Sequence, residues 1–221
     1  MDLEISLFPK AFYVFGVNVG LSLVVAWGVI AVLLVALLLL NRRVRRFEER
    51  PKGLQLILEM AVDGIHSFAE SKVGHAADFV APVTMTLMTY VFFTTFVELF
   101  GISPATEDIN CTFALGLFSF ISVNVAGFHF KGFKGRVKSM ATPSPIALPI
   151  RVLTDCISPC SMAIRLFANV MVGGVIMQLI YKVVPLVLPA AVAAYFNVVH
   201  VAIQTFVFGL LSLTYTGEAV E

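Results

Sequence analysis

Charge is what this sequence has least of. Asp, Glu, Lys and Arg make up 13% of its 221 residues, against roughly 25% in a soluble globular domain. Apolar types supply 59%. So few polar segments leave no room for a separate soluble domain, and residues 1–221 read as one membrane domain. A net charge of +1 gives no sign of nucleic-acid binding. Cysteine is scarce too: only Cys111, Cys156 and Cys160. An odd count excludes a complete disulfide framework. Cys156 and Cys160 sit four residues apart in an apolar run, without metal or redox spacing, and read as small hydrophobes. No nucleophile–base pair and no two histidines at i,i+4 are present, which argues against an intramembrane enzyme. The first residues carry Asp2 and Glu4 instead of a basic leader region, so no cleavage is expected. No internal repeat is visible.

What is there is a series of long apolar runs. The first, Val19–Leu40, is long enough to span a bilayer and predicts a helix over 19–41. It ends in Asn41-Arg-Arg-Val-Arg-Arg46, which places that end in the cytoplasm and the N-terminus outside. Residues 52–76 predict an amphipathic interfacial helix. Leu54, Ile57, Leu58, Ala61, Ile65 and Phe68 recur at helical spacing, and Gln55, Glu59, Asp63, His66 and Glu70 form a solvated opposite side. Spans follow over 79–101, with Glu98 near its outer end, and over 111–130. A second basic cluster, Lys131 to Lys138, closes the third span on the cytoplasmic side. Pro143, Pro145 and Pro149 mark a break. The last two helices, 147–184 and 190–216, form a hairpin bounded by Pro185 and Pro189, and the C-terminus is cytoplasmic. The first of the two is about 50 Å long at 1.5 Å per residue. The hydrocarbon core is only ~30 Å thick. That helix must lie strongly tilted or break near Pro159. The fold class is therefore an all-α integral membrane protein with five membrane-entering helices and one interfacial helix. His66, His75 and His129 sit at interfaces and read as incidental. Lys182 reaches the outer headgroups.

One charge stands out. From Val152 to Gly217 the only formal charges are Asp155, Arg165 and Lys182. An arginine near the bilayer centre costs about 2.5–3.5 kcal/mol on insertion scales, and intramembrane charges mark functional sites. Ser158, Ser161, Arg165 and Asn169 follow at helical steps and share a face that Gly173 extends. On the last helix Asn197, His200 and Gln204 form a second stripe. Amide and hydroxyl groups bonding between helices account for Asn197 and Gln204. They do not account for Arg165, because no acidic residue lies at its depth on either helix. Asp155 is ten residues away, roughly 15 Å along the axis. The counter-ion is expected on another chain. A stand-alone secondary transporter or channel, with Arg165 as an anion site, is the rival; it would act without other subunits and often carries inverted repeats.

The segment Ser158-Pro-Cys-Ser-Met-Ala-Ile-Arg-Leu-Phe-Ala-Asn-Val-Met-Val-Gly-Gly174 resembles the signature of subunit a of bacterial F-type ATP synthases. A Pro stands six residues before the Arg-Leu-Phe-Ala-Asn core and a Gly eight residues after the Arg. Pro104-Ala-Thr-Glu-Asp-Ile-Asn-Cys-Thr112 and Gln204-Thr-Phe-Val-Phe-Gly-Leu-Leu-Ser-Leu-Thr-Tyr215 resemble two further landmarks of that family. The resemblance extends from about Phe47 to Tyr215. It implies a stator subunit in the bacterial inner membrane, beside a rotating c-subunit ring and peripheral-stalk b subunits. Two half-channels would pass H⁺, or Na⁺, to and from the ring carboxylates, with no other cofactor and no catalytic chemistry in this chain. Arg165 would face the ring, and Asn169 and Gln204 would position it. Asn197 and His200 would lie on the ion path. Ser158, Ser161, Asp155, Gly173, Asp108 and Asn110 are candidate half-channel lining. The sequence departs from proton-translocating relatives at Arg151, Gly174 and Asn197, where titratable groups are common, and this keeps Na⁺ open as the coupling ion.

Overall fold

The computed structural model describes residues 11–14, 17–44, 53–100, 102, 104–140, 147–183 and 187–220. Apart from one small ribbon it is helical. β1 (Ala11–Val14) pairs antiparallel with β2 (Val17–Gly20), Phe12 opposite Val19 and Tyr13 opposite Asn18. α1 (Leu21–Val44), α2 (Leu54–Val73), α3 (Ala77–Phe96), α4 (Ile109–Met140), α5 (Ala147–Val183) and α6 (Val187–Val220) follow. Short 3-10 turns sit at Gly74–Ala76, Val97–Phe100 and Ala105–Glu107. Five helical stretches are long and apolar enough to cross a membrane.

Several boundaries differ from the sequence expectation. The ribbon takes Val19 and Gly20, so the first span starts at Leu21 and carries Arg42 and Arg43 within its last turn. The β-branched and aromatic residues of 11–19 favour paired strands, a signal that span length alone overlooks. α4 runs on to Met140 and breaks at Gly132, whose φ of 67° is open to glycine. α5 does not break at Pro159. Pro159 has no N–H, so the carbonyl of residue 155 loses its helical donor. One turn of the helix is braced beside it, where Ser158 Oγ donates to the Thr154 carbonyl at 3.0 Å. Pro189 stands in the first turn of α6, where a missing N–H costs nothing. Pro185 and residues 141–146 lie outside the described residues.

α1 stands to one side, its Trp27, Val32 and Leu34 to Leu39 largely exposed as lipid-facing residues are. α2 follows its expected pattern only in part. Phe68, Ala69 and Val73 pack inward against α3, α4 and α6, while Ile57, Met60 and Ala61 face out. The interface histidines have neighbours on other elements or across a turn. His66 Nε2 lies 2.9 Å from Asp78 Oδ1, His129 stacks on Phe79 at 4.8 Å and His75 meets the edge of Phe130 at 5.9 Å. Together they tie α2 and the turn after it to α3 and α4.

α4, α5 and α6 form the packed unit that carries the polar stripes. At Gly116 α4 comes close to α5. A Cβ there would lie 2.5 Å from the Pro159 carbonyl oxygen and 3.4 Å from Ala163 Cβ. Such glycine contacts let membrane helices associate by backbone packing. Beside them Leu87, Val91, Met162, Leu166 and Phe208 form a buried cluster. Ser119 Oγ bonds Ser212 Oγ at 3.2 Å, joining α4 to α6.

Candidate functional site

The hairpin register is set by one short bond. Asn169 Nδ2 donates to Gln204 Oε1 at 2.6 Å, linking α5 to α6. Gln204 is 2% exposed. A buried amide of that kind is costly without a partner, so the bond fixes which turn of α6 faces which turn of α5. Ser158 precedes Asn169 by eleven residues, and Tyr215 follows Gln204 by eleven. Both line one cavity. Two contacts with matching offsets define an antiparallel pair held in register over three turns.

Arg165 lies one turn before Asn169 and is exposed. Its immediate neighbours Met162, Ala163 and Leu166 are buried in the packed unit. Around it, Ile157, Ile164, Met171 and Val172 of α5 and Val198, Ile203 and Phe206 of α6 are exposed. The guanidinium thus stands on an open apolar face. Among the described residues the one cation–carboxylate pair within 4.0 Å is His66 with Asp78, on α2 and α3. Arg165 has no such partner among the described residues.

The other expected residues divide. Asn169 and Gln204 meet, as anticipated. Ser158 is buried beside Arg165's stripe and Ser161 is half-buried on it. Gly173 is half-buried, with open space where a Cβ would stand. His200 is half-buried one turn before Gln204, and its Nε2 has no hydrogen-bond partner among the described residues. Asp155 and Asn197 lie on α5 and α6, but their side chains fall outside the described set. Asp108 and Asn110 are not brought to Arg165. Asp108 is the N-cap of α4: Oδ1 accepts from the Asn110 backbone N–H at 2.9 Å and from Asn110 Nδ2 at 3.1 Å. Their geometry is explained locally, at the opposite end of α4 from its basic residues.

Sequence reasoning missed Asn124 and Tyr215. They and Ser158 line a cavity of about 20 Å³ between α4, α5 and α6. Asn124 was detectable as an amide inside the apolar run 111–130. Its relation to Ser158 required the helices to be packed. Among the described residues, no group of three or more His, Cys, Asp or Glu side chains is placed to hold a metal ion.

Comparison with known proteins agrees with this arrangement. The family model described as ATP synthase A chain matches residues 23–217. ATP synthase subunit a 2 of Pelobacter propionicus is 30% identical over 204 residues, covering 92% of this chain and 88% of that protein. ATP synthase subunit a 1 of Syntrophotalea carbinolica is 32% identical, covering 89% and 84%. ATP synthase subunit a of Mycobacterium marinum is 28% identical, covering 93% and 89%. The matched region contains Arg165, Asn169 and Gln204. The chain is a multi-pass membrane protein and belongs to the ATP synthase A chain family, the subunit a proteins of F-type ATP synthases.

Proposed function

We propose that this chain is the stationary ion-conducting subunit of its ATP synthase, set against the c-subunit ring and held by peripheral-stalk b subunits. The observation that carries this is Arg165: an exposed guanidinium one turn from the Asn169–Gln204 bond, with no carboxylate partner among the described residues. A guanidinium does not release its proton at working pH. It attracts each ionised ring carboxylate as it arrives, displaces the cation that carboxylate carried, and blocks direct leakage between two half-channels. Ring rotation then couples ion flow to ATP synthesis. The chain contributes conduction and electrostatics, not bond chemistry. It sits in the bacterial inner membrane with its N-terminus outside and its C-terminus cytoplasmic, so the end bearing Arg42, Arg43 and Lys131 faces inward.

Arg165→Ala is expected to abolish ion-driven ATP synthesis while the complex still assembles. Retained coupling in the assembled variant would refute the assignment. It would also leave the stand-alone transporter, for which transport by the isolated chain is the direct assay. Na⁺ is the second reading for the coupling ion, favoured by Arg151, Gly174 and Asn197 in place of the usual titratable groups. ATP-driven transport by the reconstituted complex, with Na⁺ varied at fixed pH, decides it. A rate independent of Na⁺ removes sodium.

A further inference from the structure

α4 outlasts its own span. The apolar stretch long enough to cross a membrane ends at Gly132, but the helix resumes after it and runs to Met140. Gly132 takes φ 67° and ψ 168°, a region that glycine alone enters readily, and the helix kinks there. Residues 133–140 beyond the kink carry a pattern of their own. Phe133, Val137 and Met140 recur at steps of 4 and 3, which is one helical face. Lys134 and Lys138 recur at a step of 4 on another, and Lys131 and Arg136 add to the charge. No Asp or Glu occurs from Ile109 to Thr154. A short basic amphipathic helix placed just past a span is the form that lies in an anionic headgroup layer.

The rings just before the kink set its depth. His129 stacks on Phe79 at 4.8 Å, Phe130 meets Phe79 edge-on at 6.0 Å, and His75 meets Phe130 at 5.9 Å. All four residues are exposed. Imidazoles among phenyl rings, each with an apolar body and a polar tip, suit the boundary between acyl chains and headgroups. We propose that residues 133–140 lie along the membrane surface at the end the basic residues mark as cytoplasmic, and bind anionic phospholipid there. Lys134, Arg136 and Lys138 gather the phosphate groups. The partner is a lipid because exposed apolar rings adjoin the cations: Phe79, Phe128 and Phe130. A soluble anion has no use for such rings. A phospholipid brings acyl chains to them and a phosphate to the cations at one place. This surface is independent of what Arg165 does.

The test uses the whole complex in phosphatidylcholine vesicles that contain either a photoactivatable phosphatidylglycerol or a phosphatidylcholine with the same photoactivatable group, at equal mole fraction. Adducts on this chain are mapped by mass spectrometry and normalised to assembled complex. One basic residue near an anionic surface is worth roughly fivefold in affinity, so phosphatidylglycerol should label 128–140 at least about fivefold over phosphatidylcholine. The triple variant Lys134→Gln, Arg136→Gln, Lys138→Gln should bring that ratio near unity. Lys134→Arg with Lys138→Arg, which keeps the charge, should preserve it. Raising the salt should shrink the ratio by screening, and this arm decides the point on the wild-type complex should the triple variant fail to assemble. Inorganic phosphate exchanged for chloride at equal ionic strength should leave the ratio unchanged; its loss there means a soluble-phosphate site and overturns the lipid. Equal labelling by the two lipids, a ratio unmoved by salt, or an unchanged ratio in the assembled triple variant also overturns the inference. So does a lack of adducts at 128–140, the mark of a face covered by protein.

Discussion

Replacing Gln204 by Leu tests whether the α5–α6 clamp governs Arg165. The two side chains are close in size, so packing is little disturbed, but Asn169 Nδ2 loses the acceptor it holds at 2.6 Å. Interhelical hydrogen bonds in membranes average about 0.6 kcal/mol and reach about 1.7 kcal/mol. The upper part of that range suits this bond, because Gln204 is 2% exposed and has no water to turn to. If the bond holds the helical turn carrying Arg165, losing 1–1.4 kcal/mol of positioning energy translates into roughly a five- to tenfold slower rate. The assay is gradient-driven ATP synthesis by reconstituted complex, normalised to assembled complex. Asn169→Leu and the double variant complete a cycle, and the coupling energy should exceed about 0.5 kcal/mol. The exchanged pair, Asn169→Gln with Gln204→Asn, preserves the combined reach of the two amides and should recover activity over either single exchange. Additive single effects together with no recovery in the exchanged pair would refute the clamp.

Arg165→Lys should couple poorly although it keeps a positive charge. An ammonium is a point charge whose pKa falls when it is desolvated, whereas a guanidinium stays protonated. Raising the pH deprotonates the lysine, so passive ion leak through the variant should grow with pH; a leak that is flat across pH would argue against this. Gly116→Val should lower the yield and thermal stability of the detergent-solubilised complex by about 1–3 kcal/mol, as overpacking does. The added Cβ meets the Pro159 carbonyl at 2.5 Å, and unchanged stability would mean α4 and α5 do not touch there. Asp108→Ala should cost about 1 kcal/mol through loss of the α4 cap, measured by thermal denaturation, with synthesis per assembled complex retained. A conduction defect larger than the stability loss would show that Asp108 also serves the half-channel lining.

Much of the architecture was legible in the chain because lipid imposes a strict composition. The five spans, the acidic and basic ends and the two polar stripes all follow from hydropathy, charge and a step of 3 to 4 residues. The misreadings were local. At Pro159 the sequence leaves a break or a continuous helix open; a neighbouring helix at Gly116 and the Ser158–Thr154 bond let α5 run through it. Val19 and Gly20 read as span because apolar content does not separate a strand from a helix over a few residues. The histidines at 66, 75 and 129 looked incidental because their partners Asp78, Phe79 and Phe130 come from other helices or the far side of a turn.

The sequence by itself determined that Arg165 is an intramembrane charge without a carboxylate at its own depth, since one-dimensional spacing measures depth along a helix axis. It also determined that Asn169 shares that face. Only the tertiary structure decided that Asn169 meets Gln204, that Arg165 remains exposed while Gln204 is buried, and that Asn124 and Tyr215 meet Ser158 around one cavity. Periodicity fixes which residues share a face. The rotation and register of one helix against the next depend on side chains interlocking at Gly116, Pro159 and Gln204, and that packing has no period to read.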